Sequence, residues 1–409
     1  MVYRRKDDKI IQWNRGIENT LFDLYKFDLK EEVNLEDKIL ELSNDIQSSI
    51  DLAEGPLVKL AIFQTHKGDY LLIAIHHLVI DGVSWRILFE DFSTAYSQAL
   101  SNQEITLPDK TDSFKDWSIQ MQKYANSESS IKEIEYWEKL EKTARVMMLP
   151  RDFEEAENQQ KNTRILKTEL TIEQTENLLR NVNHSYHTEV NDILLTAVGL
   201  AFKDWAKTDQ LIINLEGHGR EDIMNDMNIS RTVGWFTSQY PVVLDLDNSE
   251  DISLQIKQVK ENLRHIPNKG IGYDILRYLT IKELRPSLSF GLQPEVSFNY
   301  LGQFDSDVKT GVFTLSQTNT GNLFSPDSER PFLLDISSVV EGRKLQISIG
   351  YNSLQYKEET IATLAETYKK HLLLVIEHCM SKEGAELTPS DLGDDDLSFE
   401  DLENILELI

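Results

Sequence analysis

The stretch LLIAIHHLVIDGVSW, residues 71–85, decides the fold of the first part of the chain. Its apolar run, residues 71–75, predicts a buried strand. The residues that follow, 83–100, have the spacing of an amphipathic helix, and its apolar face consists of Val83, Ile87, Leu88 and Tyr96. A strand followed by such a helix predicts an α/β unit.

Two histidines, His76 and His77, close this apolar run. Because successive side chains of a regular strand point to opposite faces, the two imidazoles are not expected to face one pocket. One is then structural, and the other is free to act in a site. Asp81 lies where the chain turns, and we expect it to fix the loop by pairing with a buried arginine. Taken alone, this pattern leaves a catalytic site and a satisfied core equally open.

The length of 409 residues is too great for one ordinary hydrophobic core and indicates two domains or two large lobes. Hydrophobic residues make up 40% and charged residues 27%, which is typical of a folded globular protein. The chain has 69 acidic and 42 basic residues, a formal charge of -27, and no sustained Lys/Arg stripe. This charge disfavours binding to nucleic acid or to an acidic membrane surface.

The N-terminal residues MVYRRKDDKIIQWN lack the apolar core of a signal peptide, and runs such as LLTAVGLAF are too short to span a membrane. The single cysteine, Cys379, excludes an intramolecular disulfide, and no Cys/His spacing resembles a zinc site. We therefore expect a soluble cytoplasmic protein without a bound metal.

The chain divides at a polar, highly charged stretch, LPRDFEEAENQQKNTR, which opens with a proline. The predicted parts are an N-terminal lobe at 1–150, a crossing linker at 151–164, a C-terminal lobe at 165–387, and an acidic C-terminal tail with a short helix at 388–409. A solvated tail is favoured over a docking role by its composition.

A second apolar strand, in QLIINLEGHGRED, also leads into a titratable residue, Glu216. Gly217 and Gly219 permit the backbone to approach a ligand closely. The alternative to a ligand site at these residues is a turn held by salt bridges.

The aromatics of ISRTVGWFTSQYP are expected to shape a channel or fill a lobe interface. In EVSFNYLGQFD, Tyr300 is either a core aromatic or a weak acid facing a pocket, and Asn299 lies on the other strand face.

Six segments resemble, in order, the epimerization domain of nonribosomal peptide synthetases. They are HHLVIDGVSWRIL, NDILLTAVG, EGHGRE, RTVGWFTSQYP, PNKGIGY and FNYLGQFD, spread over residues 76–305. Fainter similarity runs from about Tyr3 to the TPSD of the C-terminus. The resemblance implies an α/β fold of two chloramphenicol-acetyltransferase-like lobes, a V-shaped pseudodimer with an inter-lobe tunnel.

The resemblance also implies roles for single residues. His77 would enter the tunnel from the first lobe and Glu216 from the second, as the acid/base pair. The enolate oxygen of the reacting group needs a donor, for which Tyr300 or a backbone amide near Gly82 is the candidate. The residues expected to be structural around the site are His76, Asp81, Gly82, Arg231 and Asn299. Arg231 is the hypothetical partner of Asp81.

The implied reaction inverts the α-carbon of an aminoacyl or peptidyl thioester held on the 4'-phosphopantetheine arm of a carrier protein. The implied partners are a peptidyl carrier protein and neighbouring synthetase domains, with no cofactor bound directly. Two alternatives stay open: a condensation domain, which shares the His-His-x-x-x-Asp-Gly motif and forms peptide bonds, and a non-catalytic carrier-docking module.

The sequence departs from the family in two places. It begins downstream of the family's first conserved segment, so the lobe at 1–150 is expected to lack that segment. The family usually has Gly after the Tyr of PNKGIGY, whereas here Asp274 follows Tyr273. We expect this difference to affect a surface turn rather than the chemistry.

Overall fold

The computed structural model describes residues 1–17, 20–154, 156–224, 226–246, 249–303, 313–393 and 397–406. The chain forms two compact units. The first comprises Met1–Phe114, Asn228–Phe236 and Asp307–Ser328, and the second comprises Lys115–Met227, Thr237–Ser306 and Glu329–Ile409.

The first unit contains two small sheets and two helices. Its elements are β1 (Val2–Lys6), β2 (Lys9–Trp13), β3 (Asp23–Asp28), α1 (Leu35–Ser48), β4 (Val58–Thr65), β5 (Gly68–Ile75) and α2 (Gly82–Leu100). Strands β1 and β2 pair antiparallel, and the second sheet has the order β3-β4-β5. Helix α1 buries Ile39 and Ile46 against Ala61, Phe63 and Leu72 of that sheet.

The predicted strand and helix around the histidines are both present, with two differences in burial. Leu72 and Ala74 of β5 are buried, whereas Leu71 is exposed, so the strand is buried on alternate residues only. In α2, Ile87 is buried, but Tyr96 is exposed and lies with Phe92 against the ring of Phe313.

The second unit is built on a six-stranded sheet with the order β6-β11-β10-β9-β7-β8. Its strands are β6 (Thr163–Glu169), β7 (Gln210–Gly217), β8 (Ser238–Asp245), β9 (Val296–Gln303), β10 (Leu334–Glu341) and β11 (Lys344–Asn352). The helices from residue 114 onward are α3 (Phe114–Tyr124), α4 (Glu128–Lys132), α5 (Ile134–Thr143), α6 (Ile172–Arg180), α7 (Val190–Ala206), α8 (Ile252–Arg264), α9 (Ile271–Tyr278), α10 (Glu358–Met380) and α11 (Phe399–Leu406).

The core of the second unit follows from the apolar spacing of its elements. The apolar face of α7 is buried in one large cluster with α10 and the inner face of the sheet. Helix α6 begins with a capping box, in which Thr171 and Gln174 satisfy each other's backbone amides. A hairpin joins β10 and β11, and Gly342 and Arg343 of its two-residue turn both have positive φ.

The two units divide the chain differently from the predicted lobes, because residues 115–143 belong with the second unit and not with the lobe at 1–150. The reason is Trp137 of α5, which is fully buried in the second unit's core and packs edge-on against Tyr273. Residues 228–236 belong to the first unit, which the sequence did not indicate.

In the C-terminal tail, the predicted helix is α11, whose first turn is capped by Ser398 at the amide of Asp401. The acidic residues 394–396 and the last three residues lie outside the described part of the chain. None of the described helices has the length and apolar character needed to cross a bilayer. Within the same residues, no group of His, Cys, Asp and Glu is arranged to hold a metal ion.

Candidate functional site

The histidine pair lies just beyond the end of β5, where the chain leaves the strand. His76 is extended, and His77 begins a short 3₁₀ helix, His77–Val79. The Nδ1 atom of His76 accepts a hydrogen bond from the Leu78 amide at 3.2 Å. Burial and the neighbouring His77 lower the pKa of His76, which keeps its ring neutral. These contacts agree with a structural role for His76. The expectation that the two imidazoles point to opposite faces of a regular strand does not apply, because β5 ends at Ile75, before both histidines.

The imidazole of His77 is exposed and has an aromatic neighbour. Its ring centroid lies 5.3 Å from that of Trp235, with an interplanar angle of 67°. Trp235 is itself 40% exposed, so its ring is not a core side chain. The sequence assigned the aromatics of this segment to a channel or an interface and did not connect them with His77.

Asp81 is 2% exposed and caps the start of α2. Its Oδ1 accepts from the Ser84 amide at 2.7 Å, and its Oδ2 accepts from the Phe236 amide at 3.1 Å. The Ser84 hydroxyl accepts from the Gly234 amide and donates to the Gly234 carbonyl. The beginning of α2 therefore fixes the backbone on both sides of Trp235. A side chain at position 234 is excluded, because its Cβ would lie 2.4 Å from the ring of Phe114.

The predicted pairing of Asp81 with Arg231 is wrong. The guanidinium of Arg231 pairs with Glu90 at 2.8 Å and with Asp91. Nine residues of helix separate Glu90 from Asp81, about 14 Å along the axis at about 1.5 Å per residue, which is too far for one guanidinium to reach both. Gly82 is the exposed first residue of α2, and an added Cβ there would meet nothing within 4 Å.

Glu216 lies near the end of β7, with a neighbouring strand on either side. On β8, Gln239 is its register partner, and the Gln239 Nε2 donates to Glu216 Oε1 at 3.3 Å. On β9, the Nδ2 of Asn299 donates to Glu216 Oε2 at 2.5 Å. Each carboxylate oxygen thus accepts from a different amide, and the two hydrogen bonds fix the orientation of the carboxylate.

Tyr300 lies on the opposite face of β9 from Asn299. Val296 and Phe298 are fully buried, and Tyr300 continues their face and packs against the same core. Packing of this kind is what the core alternative for Tyr300 predicts. A role of Tyr300 as the donor to an enolate oxygen stays a prediction.

The PNKGIGY segment forms a strained loop beside the end of β7. Asn268, Lys269 and Gly270 all have positive φ. A Cβ at Gly270 would lie 2.3 Å from the ring of Tyr240, and one at Gly217 would lie 3.7 Å from the Lys269 carbonyl oxygen. The loop therefore packs directly on the strand pair that carries Glu216 and Gln239.

Glu133 holds this loop in place. It is 4% exposed and accepts from the Asn268 Nδ2 at 2.7 Å. A Cβ at Gly272 would overlap its carboxylate, at 1.8 Å from Oε2. Burial raises the pKa of Glu133, and the hydrogen bond from Asn268 opposes that shift. The sequence did not single out Glu133, because 135 residues separate it from Asn268.

The sequence predicted that Asp274 affects a surface turn, but the structure places this residue in a helix. It lies in the first turn of α9, half-buried, and its Oδ2 accepts from the Gln239 amide at 3.3 Å. Burial raises the pKa of Asp274, while the Gln239 amide and Arg277 oppose the shift. Asp274 therefore contacts a residue that itself contacts Glu216.

A family profile for the condensation domain matches residues 1–398 of the chain. The chain belongs to the condensation-domain family. It is 64% identical over its whole length to tyrocidine synthase 2 of Brevibacillus parabrevis and 56% identical to gramicidin S synthase 1 of Brevibacillus brevis. It spans only 11% and 38% of the length of those two proteins.

Among solved structures, the chain is similar to the epimerization domain from the third module of tyrocidine synthetase B. The two share 64% identity with a TM-score of 0.90, over 93% of this chain and 85% of that one. The first condensation domain of the CDA synthetase has 16% identity and a TM-score of 0.62, over 95% of this chain and 86% of that one, and it shares the fold alone.

Proposed function

We propose that the chain epimerizes the α-carbon, from L to D, of an aminoacyl or peptidyl thioester on the phosphopantetheine arm of a carrier protein. The observation that supports this most directly is the Glu216 carboxylate, held by two amides at a strand end, in a chain 64% identical to an epimerization domain. The partners are then a peptidyl carrier protein and the neighbouring domains of a synthetase, which accords with the multidomain length of the relatives.

The chemistry needs two acid/base groups. A thioester sulfur conjugates poorly with its carbonyl, so the α-proton is more acidic than in an ester or amide. Inversion then requires removal of that proton from one face and return of a proton to the other. Glu216, with both oxygens accepting hydrogen bonds, is suited to accept a proton as a carboxylate. His77 is the second group, since its exposed imidazole can both accept and donate a proton.

Exchange of the α-hydrogen with solvent deuterium tests the proposal. With a single loaded carrier protein in deuterated water, the wild-type chain is expected to incorporate deuterium and to yield both stereoisomers. Glu216→Gln is expected to reduce the exchange at least about 100-fold, the scale of a lost acid/base group. Glu366→Gln, the same change at an exposed residue of α10, is the matched control and is expected to have no effect. Exchange at the wild-type rate in Glu216→Gln would remove Glu216 from the mechanism.

The same assay separates the two alternatives. A condensation domain requires a second, acceptor-loaded carrier and forms an amide, whereas epimerization proceeds with one carrier. A docking module would bind the loaded carrier without any exchange of the α-hydrogen.

A further inference from the structure

The edge strand of the larger sheet carries one of the two donors to Glu216. Among the strands of the described residues, β8 is the outermost one of this sheet, with β7 on one side only. Backbone amides that point away from β7 have no strand to pair with, and a half-buried amide of this kind needs another acceptor. At Gln239 that acceptor is the carboxylate of Asp274 on α9, at 3.3 Å.

The two amide donors to Glu216 are supported in different ways. Asn299 is on β9, which lies between β7 and β10, so its strand is fixed from both sides. Within the described part of the chain, Gln239 has a neighbouring strand only on the side of Glu216. On the other side, its backbone amide donates to Asp274.

Helix α9, which carries Asp274, packs against α3. Ile271 and Ile275 are buried with Met121 of α3 in a small cluster of their own. The loop before α9 packs on the ring of Tyr240, the residue next to Gln239. Asp274 is thus held at a fixed place beside β8.

We propose that Asp274 is a positioning residue, which holds Gln239 and through it the orientation of the Glu216 carboxylate. This inference rests on the proposed function, in which Glu216 exchanges a proton with the substrate. Asp274 itself touches neither the substrate nor Glu216 in this proposal.

The test compares Asp274→Ala with Asp274→Asn. The alanine variant loses the acceptor for the Gln239 amide, whereas the asparagine variant keeps a side-chain oxygen there. For Asp274→Ala we expect kcat of α-hydrogen exchange to fall about tenfold, the scale of one hydrogen bond to a charged group, with KM for the loaded carrier within about twofold of wild type. Asp274→Asn is expected to restore most of kcat. Glu366→Ala, at an exposed acidic residue of α10, controls for loss of charge from a helix.

A second measurement does not depend on activity. Hydrogen exchange of the Gln239 amide is expected to be faster in Asp274→Ala than in wild type and close to wild type in Asp274→Asn. A wild-type kcat in Asp274→Ala, or a lower kcat with unchanged protection of the Gln239 amide, would overturn the proposal. If the wild-type chain itself exchanges no α-hydrogen, the proposed function fails. In that event, the hydrogen exchange of the Gln239 amide still tests its contact with Asp274. Unchanged protection of this amide in Asp274→Ala overturns the contact, and lost protection supports it.

Discussion

The ends of β5 and β7 present titratable residues in two different ways. Beyond β5, His76 and Asp81 accept from amides two and three residues ahead, so contacts close in sequence set up this end before the Phe236 amide adds a distant one. At the end of β7, Glu216 accepts from Gln239 and Asn299, which are 23 and 83 residues away. A local arrangement can be recognised from spacing in the sequence, whereas an arrangement made across strands becomes visible only in the sheet.

Removing Asp81 is the strongest test of the local arrangement. Asp81→Ala leaves the amides of Ser84 and Phe236 without this acceptor, inside a buried region. Loss of a helix cap together with an unsatisfied buried amide is expected to lower the free energy of unfolding by about 2 to 4 kcal/mol. Urea denaturation measures this change. Asp69→Ala, at the exposed end of the β4–β5 hairpin, is the matched control. A loss below about 1 kcal/mol would mean that Asp81 contributes little to the first unit.

The same contrast explains how much of the molecule the sequence could predict. Strand β5 and helix α2 follow from apolar periodicity, and both are present. The position of Asp81 at a turn predicted a structural residue, and the structure shows which amides it caps.

What the sequence missed lies in contacts between distant residues. Arg231 was assigned to Asp81 because both are charged, but the helix carries Glu90 and Asp91 to the arginine instead. Asp274 was assigned to a surface turn because Gly usually occupies that position in the family. Its contact with Gln239 depends on how α9 packs beside the edge strand, and no local pattern encodes that packing.

Substitutions of Asn299 test the hydrogen bonds that Glu216 accepts from the neighbouring strands. Asn299→Leu removes the donor to Glu216 Oε2, and the rate of α-hydrogen exchange is expected to fall about tenfold. Asn299→Asp keeps the shape but places a second carboxyl group beside Glu216. Two ionised carboxylates repel each other, so the rate of this variant relative to wild type is expected to fall further as the pH rises. A ratio that stays constant with pH, together with a wild-type rate for Asn299→Leu, would contradict a role for Asn299 in holding Glu216.

Trp235 carries the smallest expected effect, because its contact with His77 is a single pair of rings that are both exposed. Its ring lies 5.3 Å from that of His77, within the range over which an aromatic ring stabilises a charged imidazole by about 0.5 to 1 kcal/mol at an exposed site. Trp235→Leu is therefore expected to slow α-hydrogen exchange about two- to fivefold, with the stability of the first unit unchanged. Trp13→Leu, at a partly exposed tryptophan of β2, is the matched control. A loss as large as that of Asn299→Leu would show that the β5 end depends on contacts distant in sequence as strongly as the β7 end does, and the contrast between the two strand ends would not hold.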